Sequence, residues 1–255
     1  MKVSNKIVVV GSGPGGAITA LNLLKSGFDV MLIEKGNSIN IRDLKAYSYD
    51  EMYHKYNNAG LNVTLGSPRI NYVEGSCFGG GSEVNSGLYH RLPSEKLTEW
   101  KDQFGLEYNP AHLEQIYNDI ERKINISYSD KDDIPPASFK LLEGSKNLGL
   151  DCIEIPRWVK KTNEGLIKQS MSETYLDEYI KIGGNYLCNA CLLKIKKTNK
   201  LYYLELKVDN KIVKHRCEIL FLCSGSINSP FILRNSGIKN NANGAPRYMY
   251  VKKNL

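Results

Sequence analysis

The sequence contains no hydrophobic run approaching the ~18 residues of a membrane-spanning helix, so no helical span is expected. Histidine is scarce: His54, His90, His112 and His215 are the whole complement, and none sits in a motif that marks a catalytic or metal-binding histidine. The six cysteines lack framework spacing. Cys188 and Cys191 form a lone CxxC pair with no second pair and no histidine pair, which excludes a recognisable zinc site. The segment around them reads as a strand, where positions three apart face opposite sides. All six are therefore read as reduced thiols, no metal is expected, and the protein is read as cytoplasmic. No secretory leader is expected, because the first apolar stretch is shorter than a signal core of ~7–15 residues. There is no internal repeat and no low-complexity segment. The formal net charge of +7 comes without a basic helix face or a basic tract interleaved with aromatics. The lysines read as dispersed on a solvated surface, and no nucleic-acid partner is expected.

What is present begins at the N-terminus. Lys6-Ile-Val-Val-Val10 reads as a buried strand, Gly11-Ser-Gly-Pro-Gly-Gly16 as a glycine turn opening a helix, and Asp29-Val-Met-Leu-Ile-Glu34 as a second strand closed by a carboxylate. Ala17, Ala20, Leu21 and Leu24 recur at helical spacing, and Gly27 stops that helix. Gly11 permits the sharp turn, Gly13 lets backbone approach a pyrophosphate, and Gly16 lets helix pack on strand. The unpaired N–H groups of the helix start face the phosphates, and Pro14 costs nothing there. Glu34 follows the loop by about 20 residues, where a carboxylate accepts ribose hydroxyls. The candidate cofactor-binding residues of this region are Gly11, Ser12, Gly13, Pro14, Gly15, Gly16, Glu34 and Lys35.

Further along, a polar, tyrosine-rich stretch to about Tyr56 reads as helix and loop, and a glycine-rich segment runs from Tyr72 to Arg91. Residues 93–123 carry helical stripes, Asp130–Pro136 is a loop, Ala137–Leu148 a helix, Pro156–Gln169 irregular, and Ser172–Ile182 a helix ending at Gly183 and Gly184. Strands are predicted at 185–196, 201–208, 211–218 and 219–223, the last running into a helix with Ser229 as N-cap, Pro230 as first residue and Gly237 as stop. The fold class expected is α/β: a Rossmann-like parallel sheet with a helical insertion and additional antiparallel strands. The nucleotide-binding domain is expected to be discontinuous, 1–92 with 185–255, around an insertion at 93–184.

Three separated segments resemble the glucose–methanol–choline (GMC) flavoprotein oxidoreductases. They are the N-terminal fingerprint ending in Glu34, the run Phe78-Gly-Gly-Gly-Ser-Glu-Val-Asn-Ser-Gly-Leu-Tyr-His-Arg91, and the run Gly225-Ser-Ile-Asn-Ser-Pro-Phe-Ile-Leu-Arg-Asn-Ser-Gly-Ile238. Tyr250–Leu255 resembles the stretch that follows. Phe78, Leu92 and Lys239 depart from the family pattern. The resemblance implies that the dinucleotide is FAD, with Gly79, Gly80, Gly81 and Asn85 along pyrophosphate and flavin, and Asn85 and Gly87 nearest the isoalloxazine. It places the backbone of Leu192 at the adenine edge, and Ser224 and Gly225 on the cofactor's other side. Some members attach FAD through a histidine just before the asparagine; Val84 stands there, which implies noncovalent FAD.

The implied activity is oxidation of the CH–OH group of a small alcohol-type substrate, with hydride transfer to flavin N5. The family's catalytic histidine region lies beyond the matched segments, so no catalytic residue is assigned. The chain reads as the flavin-binding, N-terminal part of such an enzyme, with a C-terminal partner chain or self-association as the implied partner. The alternative reading is a non-catalytic flavin-binding subunit of a split enzyme.

Overall fold

Ile7–Val10 forms the central strand (β1) of the fold, and all four residues are buried. The computed structural model describes residues 6–129, 134–163 and 165–238. Lys239, the stretch Tyr250–Leu255 and residues 130–133 of the expected loop lie outside the described residues. After β1 come α1 (Pro14–Lys25), β2 (Val30–Ile33), α2 (Tyr49–Lys55), β3 (Asn62–Val63), β4 (Asn71–Tyr72), α3 (Gly81–Val84), α4 (Ser94–Phe104) and α5 (Pro110–Lys123). Next are β5 (Ile126–Ser127), α6 (Pro136–Asn147), β6 (Arg157–Thr162), β7 (Gly165–Lys168), α7 (Tyr175–Lys181) and β8 (Asn185–Leu187). The last elements are β9 (Ala190–Thr198), β10 (Leu201–Val208), β11 (Lys211–Cys217), β12 (Ile219–Leu222) and α8 (Gly225–Asn235). They divide into two compact units, Met1–Asn85 with Met171–Leu255, and Ser86–Ser170.

The first unit has the expected α/β architecture. Its parallel sheet runs β12-β1-β2-β8, with Ile7 paired to both Ile219 and Val30. Continuous apolar strands suit this position, because a parallel sheet is covered on both faces. One face sends Val8, Val10 and Ile33 into a cluster with Leu192, Ile195, Leu204, Leu206, Cys217 and Ile232. Most of those come from an antiparallel sheet, β11-β10-β9, laid against the parallel one, and Ile232 comes from α8. Alternate residues Val9 and Leu32 are also fully buried and point the other way, where α1 packs on β1 and β2 and α7 packs on α1. The Tyr179 hydroxyl anchors α7 to the sheet, 2.7 Å from the Asn185 carbonyl oxygen and 3.1 Å from that of Val30.

The stretch predicted as one strand over 185–196 is two. Residues 185–187 pair parallel to β2, residues from 190 onward pair antiparallel to β10, and the chain turns between them at Asn189, which has a φ of 52°. The Asn189 and Ala190 N–H groups donate to the Gly36 and Glu34 carbonyls, so the corner is stitched to the end of β2. It also places Cys188 outside the strand that carries Cys191, and all six cysteines are free. Among the described residues no group of three metal-ligating side chains assembles, and no helix is long and apolar enough to cross a membrane.

The second unit corrects one expectation. Residues 156–169, predicted irregular, contain a β-hairpin, β6 with β7, extended by β5. Its alternation is obscured by lysines, but Trp158 is buried and supplies the apolar anchor. Arg91 ties the end of the glycine-rich segment to α5 through ion pairs with Glu114 and Glu121, and the Tyr89 hydroxyl donates to Glu121 at 2.8 Å.

His215, on β11, faces the core beside Leu204, with 7% of its surface exposed and Nε2 unpartnered. Burial lowers its pKa. The neutral imidazole is therefore favoured in the fold, while the unfolded chain takes up a proton near pH 6.5. The stability tied to His215 is complete above that pH and is lost as pH falls below it toward the lowered folded value. Urea midpoints measured between about pH 7 and pH 5 should fall more steeply for the wild type than for His215→Leu. Parallel curves would show that His215 does not set the acid limb.

Candidate cofactor-binding site

The turn after β1 is held by close backbone approach. A Cβ at Gly11, where φ is 99°, would lie 2.4 Å from the Cys223 carbonyl oxygen, and one at Gly16 would lie 1.7 Å from that of Gly11. These two glycines thus serve the packing of turn, α1 and β12. Gly13 and Gly15 differ, because a Cβ there would enter open space. Gly13 precedes α1, no side chain caps the helix start, and Pro14 occupies the first turn. Free N–H groups and the positive end of a 12-residue helix therefore look outward from this turn.

Glu34 closes β2 and is 8% exposed. Its Oε2 accepts from Ser12 N at 2.8 Å and Ser12 Oγ at 2.6 Å, and its Oε1 accepts from Gly36 N at 2.8 Å. Ser12 Oγ in turn accepts from Gly79 N at 3.0 Å. One buried carboxylate and one buried hydroxyl thus join the end of β2, the first glycine turn and the second glycine turn. A carboxylate offers about four lone-pair sites, so three protein donors leave Glu34 room for one more. Its charge and the burial of Cys188 together push that thiol up to about 12, burial being the larger cause.

The second glycine turn packs on the first: a Cβ on Gly80 would lie 3.0 Å from Gly13 Cα. Gly81 opens α3, Gly79 lies behind it against Glu83, and Ser82 Oγ accepts from Met171 N at 3.0 Å, fastening α3 to the returning chain. The last wall is α8. The predicted start at Ser229 and Pro230 is corrected: the helix begins at Gly225, with Ser224 as N-cap and Pro230 inside. Gly225 has a φ of 79°, which lets the chain leave β12 and enter the helix without an intervening loop, so the cap signal four residues later is not used. Like α1, α8 has no side-chain cap. Gly237 ends the helix as predicted, with a φ of 76°.

These elements line a cavity of about 1290 Å³, larger than the ~300–1,000 Å³ of common small-ligand pockets. Of the predicted residues, Gly11, Gly13, Pro14, Gly15, Glu34, Lys35, Gly80, Gly81, Asn85, Leu192, Ser224 and Gly225 line it. Ser12, Gly16 and Gly79 lie behind the wall and position it. Gly87 falls in the second unit, buried against Trp158. Leu192 lies on the edge of β9 that β10 does not pair: Ala190 N donates to Glu34 and, by alternation, Leu192 presents its backbone the same way. A register shift opposite Glu205 and Leu206 leaves Leu193 unpaired, a bulge beside the cavity.

Sequence reasoning missed a polar bridge along one wall. Lys35 Nζ donates to Asn57 Oδ1 at 2.8 Å, Asn57 Nδ2 donates to Glu74 at 3.2 Å, and Asn228 Nδ2 donates to the other Glu74 oxygen at 2.5 Å. No spacing rule links positions 35, 57, 74 and 228: Lys35 was a candidate and the Asn228 neighbourhood carried a signal, but nothing marked Asn57 or Glu74 as their partners. Cys223 also lines the cavity, but burial raises its pKa, so it is no ready thiolate. None of the four histidines lines the cavity.

If Ser12 and Glu34 act as one unit, their substitutions should not add. Ser12→Ala leaves the Gly79 N–H without its acceptor, a cost of about 1–3 kcal/mol. The double-mutant cycle with Glu34→Gln should show a coupling of about 0.5–3 kcal/mol in urea unfolding. Additive costs would mean that the hydroxyl does not hold the carboxylate.

The chain matches the family described as GMC oxidoreductase over residues 49–255, and that described as NAD(P)-binding Rossmann-like domain over residues 9–67. An uncharacterized GMC-type oxidoreductase of Sinorhizobium fredii is 28% identical over 91% of this chain and 49% of its own. A long-chain-alcohol oxidase of Arabidopsis thaliana is 26% identical over 94% of this chain and 35% of its own. Pyridoxine 4-oxidase from Mesorbium loti has a similar fold, with a TM-score of 0.73 at 17% identity, covering 92% of this chain and 52% of that one. The chain spans about half the length, or less, of the curated relatives it matches. With the family match covering most of its residues, the chain belongs to the GMC oxidoreductase family.

Proposed function

We propose that the first unit binds FAD noncovalently and is the cofactor-binding part of an oxidoreductase acting on alcohol-type substrates. The observation that carries this reading is the convergence of two uncapped helix starts, α1 and α8, two interlocked glycine turns and the carboxylate that closes β2 on one cavity. The fit is specific: open space lies over Gly13, Gly15 and Gly81, and a pyrophosphate needs such backbone access. The chemistry that FAD supplies is two-electron oxidation, with N5 accepting hydride from the carbon of a CH–OH group.

In this reading the N–H groups at the start of α1 hold the pyrophosphate, with Ser224 and Gly225 of the α8 start beside it. Glu34 accepts a ribose hydroxyl on its remaining lone pair, and the Leu192 backbone meets the adenine edge. Gly80 and Gly81 give the cofactor room, and Asn85 stands toward its flavin end. Val84 has no nucleophile, so no covalent link forms. The discontinuous unit 1–85 with 171–255 is the flavin domain in this proposal, and the inserted unit is part of a substrate domain. Acid precipitation of the loaded protein should leave yellow colour in the supernatant. Gly13→Val should fold, since no atom stands within 4 Å of a Cβ there, yet should purify without flavin. Flavin retained on the denatured chain, or full flavin content in Gly13→Val, would overturn the assignment.

Alcohol as substrate class follows the relatives, several of which are named long-chain-alcohol oxidases in Arabidopsis thaliana. The proton acceptor does not come from a histidine of this cavity. We place it in the length of the relatives that this chain does not span, supplied by further sequence or by a partner chain. That same observation favours, as a second reading, a flavin-binding subunit with no catalysis of its own. Losing a general base costs about 10²–10⁴-fold in rate. Stopped-flow reduction of bound flavin by a panel of primary alcohols should therefore be slow with this chain. Fast reduction would place the base within its 255 residues.

A further inference from the structure

The pairing register of the antiparallel sheet gathers charge that looks dispersed in sequence. Residues 190–218 hold eight cations against three acids, so five of the chain's seven net positive charges sit in this one segment. Across β9, β10 and β11, Lys196, Tyr203 and Arg216 stand opposite one another, Lys194, Glu205 and Lys214 form the next row on that face, and Lys207 lies opposite Ile212. The alternate residues Ile195, Leu204 and His215 face the core and are buried. The outer face therefore carries Lys194, Lys196, Lys207, Lys214 and Arg216 with a single carboxylate, Glu205. All five cations are exposed, and none enters an ion pair among the described residues.

The spacing makes their fields add. Strands two apart are separated by about 10 Å and residues two apart along a strand by about 7 Å, within or near one Debye length at physiological salt. Lys194, Lys196, Lys214 and Tyr203, with Glu205 among them, also border a shallow depression of about 360 Å³.

We propose that this face docks on the surface of a bilayer rich in anionic phospholipid. Three features select that occupant. A sheet face meets a planar surface with all its side chains at once, whereas it offers no helix or ribbon to a duplex groove. Tyr203 is the only aromatic in the array, too few for a stacking platform that follows a single strand. Four of the five cations are lysines, point charges suited to a diffuse layer of headgroups, and Tyr203 and Ile212, 43% and 55% exposed, suit the headgroup boundary. The proposal stands independently of the flavin assignment, since only Lys207 also lines the cofactor cavity.

The test is co-sedimentation of the chain with phosphatidylcholine vesicles, with and without about 30% phosphatidylglycerol, at low salt and at about 0.5 M salt. Binding to the anionic vesicles alone, lost in high salt, is the expected result. Each lysine near an anionic surface is worth about fivefold in partitioning, so the triple variant Lys194→Gln, Lys196→Gln, Lys214→Gln should bind on the order of 100-fold less. The corresponding triple change to Glu should not bind, and if it fails to fold, the Gln variant decides. Equal binding to neutral vesicles, binding unaffected by salt, undiminished binding of the Gln variant, or capture by duplex DNA without capture by vesicles would each overturn the proposal.

Discussion

The site depends on the buried chain Glu34–Ser12–Gly79. A carboxylate from the end of β2 takes two donors from Ser12 and one from Gly36, and the same serine hydroxyl receives the Gly79 N–H. Charge-assisted hydrogen bonds of this kind contribute about 1.5–3 kcal/mol each, and an unpaired buried carboxylate would cost more than any of them returns. The three segments must therefore meet. Once they do, the second glycine turn lies against the first, with Gly80 so near Gly13 that a side chain there would crowd its Cα. The empty space left over Gly13, Gly15 and Gly81 becomes the cavity.

A second constraint is the way the antiparallel sheet serves two masters. Its inner face, through Leu192, Ile195, Leu204 and Leu206, shares one core with Val8, Val10 and Ile33 of the parallel sheet. Its edge on β9 away from β10, bulged at Leu193, supplies a wall of the cavity. Its outer face is left to solvent and collects lysines. The bond from Ala190 to the Glu34 carbonyl links this sheet to the strand that bears the key carboxylate, so core, wall and turn are set by the same few backbone contacts.

Much of this was legible in the residues. A run of four apolar residues before Gly11, and another ending in Glu34, is what a doubly covered parallel strand with a nucleotide turn looks like. The lengths of β10, β11 and β12 were read to within a residue, because alternation and Asn- or Asp-containing turns mark them. The errors have local causes. The corner at Asn189 hides inside an apolar stretch that reads as one strand. Pro230 is a good first helical residue, but Gly225 lets the helix start earlier. The hairpin at 157–168 is masked by lysines on both faces of its first strand.

By itself the sequence determined the parallel core, the two glycine turns, the carboxylate that follows β2 and the family to which they point. These are short-range patterns, each encoded within one turn or strand. Only the tertiary structure decided that Glu34 is first a structural acceptor, that Lys35, Asn57, Glu74 and Asn228 are bonded together along one wall, and that Lys194, Lys196, Lys207 and Lys214 share a single face. The physical reason is that these depend on register and on contacts across the chain, where a shift of one residue moves every side chain to the opposite face.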